Sequence, residues 1–302
     1  MISKKINVLK QPTTLIILDV DKFKECNDTF GHVFGDKATI NGAAGDDTLE
    51  SYGAKKVSLV GGAGNDWISN YEVTIWNEDN TQIIESVSPD NATINGGAGD
   101  DTIINDGKSS KIVAGDGKDV ISNYGGDKST INAGAGDDTV YNSNSEVSIN
   151  AGAGNDRIYN RSGGDNVTIV GGKGKDTVYN YYASDVTVLG GDGNDSILND
   201  YGDRVLMKGE AGNDTLISEY DADYVTMDGG AGNDVLYNKY NYNDYVKIYG
   251  GTGNDSINNE NPQATIDAGK GNDTIMNNAS EVSIGSGAGN DKIYNHGGKI
   301  VT

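Results

Sequence analysis

The sequence is poor in several residues on which other classes of protein depend. It has one cysteine, Cys26, so no disulfide can form within the chain. Three prolines among 302 residues, without a collagen period, exclude a proline-rich linker or a triple helix. No apolar run approaches the ~20 residues that a transmembrane helix needs. Only 23 basic residues stand against 45 acidic ones, which argues against nucleic acid and membrane insertion and favours binding of cations.

A glycine-rich loop that closes on an aspartate recurs thirteen times, for example as GAGNDW at residues 62–67 and GTGNDS at residues 251–256. Twelve intervals separate the closing aspartates, and eleven of them are 18 to 21 residues long. A repeat of that length must stack on its own copies to bury a core, which aligns the aspartates in a column. The closing aspartates are Asp47, Asp66, Asp101, Asp119, Asp138, Asp156, Asp176, Asp195, Asp214, Asp234, Asp255, Asp273 and Asp291.

Aliphatic residues flank every loop in a fixed register, as Leu59 and Ile68 do around Asp66. Alternation with period two around these positions predicts that each repeat is a strand, a glycine loop, a second strand and a turn of variable length. We therefore expect an all-β solenoid with two short strands per rung. Because only the second turn varies in length, we expect the functional constraint on the glycine-loop edge.

Two further features complete the predicted coil. Asparagine stands four residues after most of the closing aspartates, with Ser51 and Ser218 as exceptions, and we interpret this column as a structural ladder of amide hydrogen bonds. The single long interval, 35 residues from Asp66 to Asp101, is interpreted as a degenerate rung around residues 73–85. With that rung included, the prediction is about 14 rungs.

The aspartate column predicts a calcium site on one edge. Carboxylates stacked ~4.8 Å apart repel by about 0.9 kcal/mol per pair even in water, so the stack needs a cation. Calcium takes six to eight oxygens from carboxylates and backbone carbonyls, whereas zinc prefers His and Cys, and magnesium resists cages made only of protein. One ion between successive loops, with the degenerate rung left out, predicts about 11 ions in one column.

The motif GGAGND followed by a bulky apolar residue resembles the calcium-binding RTX (hemolysin-type) repeat of secreted bacterial proteins, over residues 38–301. The resemblance implies a right-handed parallel β-roll. Lys118, Lys175 and Glu210 depart from the motif, and we expect weaker sites there. Besides the aspartates, the predicted metal-site residues are Gly62, Gly64, Gly97, Gly99, Gly134, Gly136, Gly152, Gly154, Gly172, Gly174, Gly191, Gly193, Gly230, Gly232, Gly251, Gly253, Gly269, Gly271, Gly287 and Gly289.

The N-terminal segment has a different character. Residues 15–36 resemble the start of a diguanylate cyclase (GGDEF) domain, in which the positions of Asp19, Asn27 and Asp36 bind Mg²⁺ and guanine. The hairpin that carries the second metal carboxylate in that family is missing, so we expect no cyclase activity. We predict two domains, a fragment at residues 1–36 and the solenoid at 37–302. The fragment's strand and short helix, at residues 22–29, are expected to cap the first rung or to be disordered.

The function favoured by the sequence is a calcium-dependent folding module of a secreted bacterial protein, with a structural, secretion or adhesive role, no catalysis and no cleaved signal peptide. A carbohydrate-active or ligand-binding solenoid is the alternative. Its catalytic candidates are weak: Glu72, Glu78, Glu85, Arg157 and Arg161.

Two binding functions of the solenoid surface follow from the sequence pattern. Tyrosines on the outer strand face and in the variable turns could bind a cell-surface or polysaccharide partner, although tyrosine is also an ordinary strand residue. The coil length also resembles calcium-dependent ice-binding domains of bacterial adhesins, which need outward threonines beside each loop. Only Thr252 conforms, so ice binding is disfavoured.

Overall fold

The computed structural model describes residues 14–16, 39–52, 56–76, 83–239 and 245–297. Regular secondary structure in these ranges is entirely β, and no helix there is long and apolar enough to cross a membrane. The chain clusters into two compact units, residues 1–133 and residues 134–302. Each unit is a parallel β-solenoid whose coils consist of a first strand, a glycine loop, a second strand and a turn, consistent with the predicted β-roll.

Unit 1 contains four complete coils. Their first strands pair in the order β2-β4-β8-β10 and their second strands in the order β3-β5-β9-β11, all parallel. The strands of unit 1 are β1 (Thr14–Ile16), β2 (Thr39–Ala44), β3 (Thr48–Tyr52), β4 (Ser58–Ala63), β5 (Trp67–Tyr71), β6 (Val73–Trp76), β7 (Ile83–Val87), β8 (Thr93–Ala98), β9 (Thr102–Asn105), β10 (Lys111–Asp116) and β11 (Val120–Asn123). Strand β12 (Thr130–Ala135) spans the boundary between the units.

Unit 2 repeats this construction over eight complete coils, preceded by one second strand. The even-numbered strands, β14 to β28, form one parallel sheet, and the odd-numbered strands, β13 to β29, form the other. The strands are β13 (Thr139–Asn142), β14 (Ser148–Ala153), β15 (Arg157–Asn160), β16 (Thr168–Lys173), β17 (Thr177–Tyr181), β18 (Thr187–Asp192), β19 (Ser196–Asp200), β20 (Leu206–Ala211), β21 (Thr215–Glu219), β22 (Thr226–Ala231), β23 (Val235–Lys239), β24 (Lys247–Thr252), β25 (Ser256–Asn259), β26 (Thr265–Lys270), β27 (Thr274–Asn277), β28 (Ser283–Gly285) and β29 (Lys292–Asn295).

The core of each unit is built from the two aliphatic columns. In unit 2, Ile149 pairs with Ile169 in the first-strand sheet, and Ile158 pairs with Val178 in the second-strand sheet. All four side chains are buried, because alternate residues of a strand point to opposite faces. Each such side chain contributes about 1.5–3 kcal/mol of burial free energy. The core column opens only at the last coil, where Ile293 is 44% exposed.

The degenerate rung predicted around residues 73–85 is wrong. Strands β6 and β7 pair with each other in an antiparallel hairpin, with Val73 opposite Val87. The coils on either side stack directly, since Ile68 of β5 pairs with Ile103 of β9. The extra residues of the long interval therefore leave the solenoid as an insertion. The fold has about 12 turns rather than about 14 rungs.

The predicted cap is described only in part. Strand β1 pairs in parallel with β3, with Leu15 opposite Leu49, so it extends the second-strand sheet at the first coil. The helix predicted at residues 22–29 lies outside the described residues. The predicted domain boundary at residues 36 and 37 also lies outside them, and it stays a prediction.

The asparagine column forms the predicted ladder. The amide Nδ2 of Asn160 donates to Oδ1 of Asn180 at 2.8 Å, and Asn180 donates in the same way to Asn199 at 2.7 Å. Most of these amides also donate to a carbonyl of the adjoining turn, as Asn180 does to Ala183 at 2.7 Å. The ladder closes the turn edge of each coil. Ser218 interrupts it, and the buried Ser218 hydroxyl has no hydrogen-bond partner.

Candidate metal-binding edge

The loop edge consists of the six-residue glycine loops. Their residues are numbered 1 to 6, with the closing aspartate at position 6; in one coil these are residues 190–195. Positions 2 and 4 adopt positive φ, at 113° for Gly191 and 144° for Gly193. At Gly193 a Cβ would collide with the carbonyl of Gly174 in the preceding coil. All twenty glycines predicted from the sequence have positive φ. Glycine is therefore required both by the left-handed backbone and by the close stacking of the loops.

The closing aspartates form a hydrogen-bonded column in both units. The backbone N–H of each aspartate donates to Oδ1 of the aspartate in the next coil, as Asp195 does to Asp214 at 2.7 Å. Three such links lie in unit 1 and eight in unit 2. One of them joins Asp66 to Asp101 at 2.8 Å, so the column continues past the hairpin. The sequence-based expectation that the degenerate rung interrupts the column, which left this gap out of the ion count, is therefore also wrong.

Most of the closing aspartates bury their second carboxylate oxygen without a hydrogen-bond donor. Oδ2 is buried and accepts no hydrogen bond in ten of the closing aspartates. Buried polar atoms are almost always paired in native proteins, and an unpaired anionic oxygen is especially costly. A column of such atoms indicates that a cation belongs in the loops. The ten are Asp47, Asp66, Asp101, Asp156, Asp176, Asp195, Asp214, Asp234, Asp255 and Asp273.

A backbone carbonyl approaches the same place from the next coil. A Cβ built on Gly190, at loop position 1, would stand 2.5 Å from Asp195 Oδ2 and 2.8 Å from the carbonyl oxygen of Gly209. Gly171 has the same surroundings, with Asp176 Oδ2 at 2.6 Å and the Gly190 carbonyl at 2.5 Å. Two oxygen acceptors from successive coils therefore converge. The sequence analysis did not single out position 1, although its glycine or alanine recurs in twelve of the thirteen loops.

Burial shifts the titration of the column. Desolvation raises the pKa of Asp195 to about 6 and that of Asp214 to about 7, and the neighbouring aspartates add to both shifts. The pKa of Asp66 rises to about 6 for the same reasons. In each case the hydrogen bond from the preceding aspartate's N–H lowers the pKa but does not offset burial. The loop edge thus holds carboxylates in an environment that disfavours their charge unless a cation compensates it.

The donor set fits calcium. The available ligand atoms are carboxylate and backbone carbonyl oxygens, which are the oxygen ligands that Ca²⁺ takes. No cluster of three or more His, Cys, Asp or Glu side chains that could hold a metal occurs among the described residues. Any ion here must therefore draw most of its ligands from the backbone, and backbone carbonyls suit calcium better than zinc.

Position 5 of the loop carries a second ladder that the sequence analysis missed. The backbone N–H of Asn233 donates to Oδ1 of Asn213 in the preceding coil at 2.7 Å, and Asn254 donates in turn to Asn233 at 2.7 Å. These side chains are exposed and hold successive loops in register. Lys118 and Lys175 occupy this position in two loops and have no acceptor to offer. The recurrence of Asn or Asp just before the closing aspartate was the available signal.

Glu210 replaces a loop glycine in one coil. It occupies position 2 with φ of 74°, a backbone conformation that is uncommon for residues other than glycine. The loop still reaches its neighbours, since Asp214 accepts from Asp195 and donates to Asp234. The weaker metal sites expected at Lys118, Lys175 and Glu210 stay predictions.

The remaining predicted residues do not form a site in the described structure. Glu72 and Arg157 are exposed, and the guanidinium carbon of Arg161 lies 5.1 Å from the ring centroid of Tyr141. The side chains of Glu78 and Glu85 lie outside the described part of the chain. The diguanylate cyclase positions Asp19, Asn27 and Asp36 lie outside it as well.

Two protein families match the sequence. The diguanylate cyclase GGDEF domain matches residues 2–44, which include strand β2 of the solenoid. The RTX calcium-binding nonapeptide repeat matches residues 58–69, 88–107, 125–144, 147–167, 161–180, 206–236, 246–259 and 265–279. Both resemblances found in the sequence are thereby confirmed. No curated protein matches the chain significantly.

Two solved structures resemble the chain to different degrees. The crystal structure of a hyperactive, Ca²⁺-dependent, β-helical antifreeze protein from an Antarctic bacterium has a TM-score of 0.56 at 24% identity, covering 87% of this chain and 85% of the other. PfbA, a surface adhesin of Streptococcus pneumoniae, has a TM-score of 0.30 at 11% identity over 93% and 89% of the chains, too low to argue from. The first likeness shows the fold alone. Fold, loop geometry and family matches agree that this chain is a β-solenoid built from RTX calcium-binding repeats.

Proposed function

We propose that the chain is a structural module that folds when calcium fills its loop edge, and that it works outside the cell without catalysis. The observation that carries this proposal is the column of buried Oδ2 atoms that accept no hydrogen bond. The raised pKa values of Asp195 and Asp214 support it, because they indicate that the metal-free loops disfavour ionised carboxylates.

The proposed sites lie between successive loops. Each would use the closing aspartates and the carbonyls of the predicted loop glycines, together with position 1 carbonyls such as that of Gly209. With three links in unit 1 and eight in unit 2, the proposed content is about 11 ions. The ion supplies positive charge that makes the stacked carboxylates compatible with burial. The sequence-based count of about 11 left out the gap beside the hairpin. The present count includes that gap and takes only the links within each unit, so the step from Asp119 to Asp138 is not counted.

Dependence on calcium would let the chain stay unfolded until it has been exported. Where calcium is scarce, as in the cytosol, repulsion along the column keeps the chain unfolded, and an unfolded chain can be exported. Where calcium is abundant, binding to the folded state stabilises it by mass action. Secretion of this chain and the absence of catalysis are parts of the proposal.

A calcium titration followed by circular dichroism tests the proposal. In EDTA at pH 7.5 we expect largely disordered spectra, and at millimolar calcium we expect a cooperative gain of β-structure. Magnesium at the same concentration is the control and should have little effect, because it resists all-protein cages. Calorimetry on the same samples should give about 11 ions. A folded, unchanged spectrum in EDTA, or an equal response to magnesium, would contradict the proposal.

The exposed outer face of the loop edge argues against ice binding. Position 3 of each loop points to solvent, and Thr252 is the only threonine there. Charged side chains such as Asp192 and Lys270 interrupt the column. A regular array of outward threonines is therefore absent from the described loops.

A further inference from the structure

The turn edge of unit 2 carries a row of stacked tyrosines. The rings of Tyr182 and Tyr201 are 4.7 Å apart and inclined by 4°, and those of Tyr201 and Tyr220 are 5.2 Å apart and inclined by 10°. The three residues are 60%, 37% and 39% exposed. We call Tyr182, Tyr201 and Tyr220 the tyrosine row. A second stacked pair, Tyr224 and Tyr245, lies on the same edge with rings 5.3 Å apart.

All five tyrosines occupy backbone positions that disfavour them. Their φ angles are 58°, 59°, 48°, 57° and 74° in chain order. In this left-handed region glycine and asparagine are preferred, and a bulky side chain is an outlier. Exposed rings recover little burial free energy in return. Positive φ belongs to the turn rather than to the ring, since Arg204 and Gln263 share it. The choice of tyrosine over glycine or asparagine at these positions therefore points to a role of the rings beyond folding.

The aromatic surface continues onto the second-strand sheet. Tyr181 precedes the row in sequence, and its ring lies 5.8 Å from that of Tyr179. Tyr141, Tyr159 and Tyr179 stack at 5.0 Å intervals along the outer face of that sheet. Tyrosine rings therefore repeat once per coil over several coils of unit 2. Clustered exposed aromatic residues of this extent mark interaction surfaces.

The charge beside the row selects among ligands. Asp200, Asp203 and Asp221 lie in the same strand ends and turns as the row, whereas Glu219 beside them is paired with Lys239. The one arginine among them, Arg204, is already paired with Asp185, with its Nε 2.6 Å from Oδ1. An anionic polymer would be repelled by this surface, whereas a neutral or amino-bearing one would not.

The spacing indicates a repeating ligand. Tyrosine rings and hydroxyls recur at about the strand spacing of ~4.8 Å. The pyranose rings of an extended β-1,4-linked polysaccharide repeat along the chain at a similar spacing. Because the rings stack face to face along the solenoid, the row presents ring edges and hydroxyls to solvent, and each hydroxyl can donate to and accept from sugar hydroxyls. We infer that the tyrosine row binds a polysaccharide without acidic groups, lying along the solenoid.

Removal of the rings without damage to the fold tests this inference. In Tyr182→Asn/Tyr201→Asn, asparagine suits positive φ, so the variant should fold as well as the parent. Gln263→Asn is the matched control, because Gln263 is an exposed turn residue with φ of 58° and no ring. The probes are hydroxyethyl cellulose, which is neutral, and polygalacturonate, which is acidic. Each is cast into a native gel that contains millimolar calcium.

We expect hydroxyethyl cellulose to retard the parent chain and the Gln263→Asn variant, and the double variant to bind about tenfold more weakly. Polygalacturonate should retard none of them. Equal retardation of the double variant, retardation by polygalacturonate alone, no retardation of the parent, or self-association that disappears in the double variant would each overturn the inference. Circular dichroism in the gel buffer shows whether the chain is folded. A folded chain that does not bind contradicts the inference, whereas a chain that does not fold with calcium contradicts the proposed function.

Discussion

The loop edge and the turn edge of each coil differ in how much their length and residues vary. On the loop edge, length and backbone are invariant, glycines adopt positive φ, and carboxylates are buried in a column. On the turn edge, coil lengths range from 18 to 21 residues in unit 2 and exposed side chains vary. Both edges join the same two sheets, so packing cannot explain the difference. It teaches that the need to align carboxylates, rather than the core, restricts the loop edge.

Electrostatics separates the edges as well. On the turn edge, the hydrogen bond from Arg204 lowers the pKa of Asp185, which is exposed. On the loop edge, desolvation raises the pKa of Asp214 to about 7. An exposed aspartate with a cationic partner is stable as an anion, whereas a buried one without a cationic partner is not. The edges should therefore respond differently to pH, to insertion and to removal of charge.

The largest expected effect is a reversed pH dependence without metal. Raised pKa values mean that the metal-free fold binds more protons than the unfolded chain, in which an aspartate titrates near 3.8. Its stability is therefore fully present below about pH 4 and is lost as the pH rises through about 6 to 7. We expect more β-structure in EDTA at pH 5 than at pH 8, measured by circular dichroism. With saturating calcium the order should reverse, because protons compete with the ion. Less structure at pH 5 in EDTA would refute this account of the loop edge.

A single inserted residue should distinguish the edges next. Alanine inserted after Gly193 lengthens a loop that has six residues in every repeat, breaks the link from Asp195 to its neighbours and should cost at least about 3 kcal/mol. Alanine inserted after Asp221 lengthens an interval of 20 residues to 21, which the next coil already has, and should cost about 0.6 kcal/mol or less. Urea unfolding in calcium measures both. Similar losses at the two sites would erase the distinction.

The smallest expected effect comes from removing the charge of one carboxylate, which should change stability in opposite directions with and without calcium. Asp214→Asn keeps an Oδ1 that can accept from the Asp195 N–H but removes the charge. With calcium a hundredfold above its Kd, loss of one site should destabilise the fold by up to about 2.7 kcal/mol. In EDTA at pH 7.5, where the parent should be largely disordered, the same change should raise the β-structure content measured by circular dichroism, because it removes roughly 1 kcal/mol of repulsion from the neighbouring aspartates.

The control for this change lies on the turn edge. Asp221 is exposed, and Asp221→Asn should leave both the urea midpoint in calcium and the circular dichroism in EDTA almost unchanged. If Asp214→Asn lowers both the urea midpoint in calcium and the β-structure content in EDTA, or raises both, its carboxylate does not hold the ion.

Much of the fold could be predicted from the sequence, because repetition turns local patterns into long-range ones. The alternation around Ile149 and Ile158 predicts two strands, and the same pattern one coil later predicts parallel stacking in register. Asn160 and Asn180 predict a ladder for the same reason. Residues 73–85 could not be assigned in this way, because a segment without a repeat has no register to inherit. Its pairing depends on contacts that a period cannot reveal.

Details of the site were likewise beyond the sequence. The loop motif predicts which aspartates form the column and that an oxygen-preferring cation suits them. Whether Oδ1 or Oδ2 is occupied by a hydrogen bond depends on how far one coil lies from the next, as the contact from Asp195 to Asp214 shows. The tyrosines of the turn edge were visible as residues, but their stacking and positive φ were not.

By itself, the sequence determined the two-strand coil and its acidic edge, and it predicted a cation there, because these follow from residue types at fixed positions around each glycine loop. Tertiary structure decided which carboxylate oxygens lack a donor, that the column runs past the hairpin, and that Tyr182 and Tyr201 stack in solvent. These depend on distances between coils, which arise only when the strands are stacked.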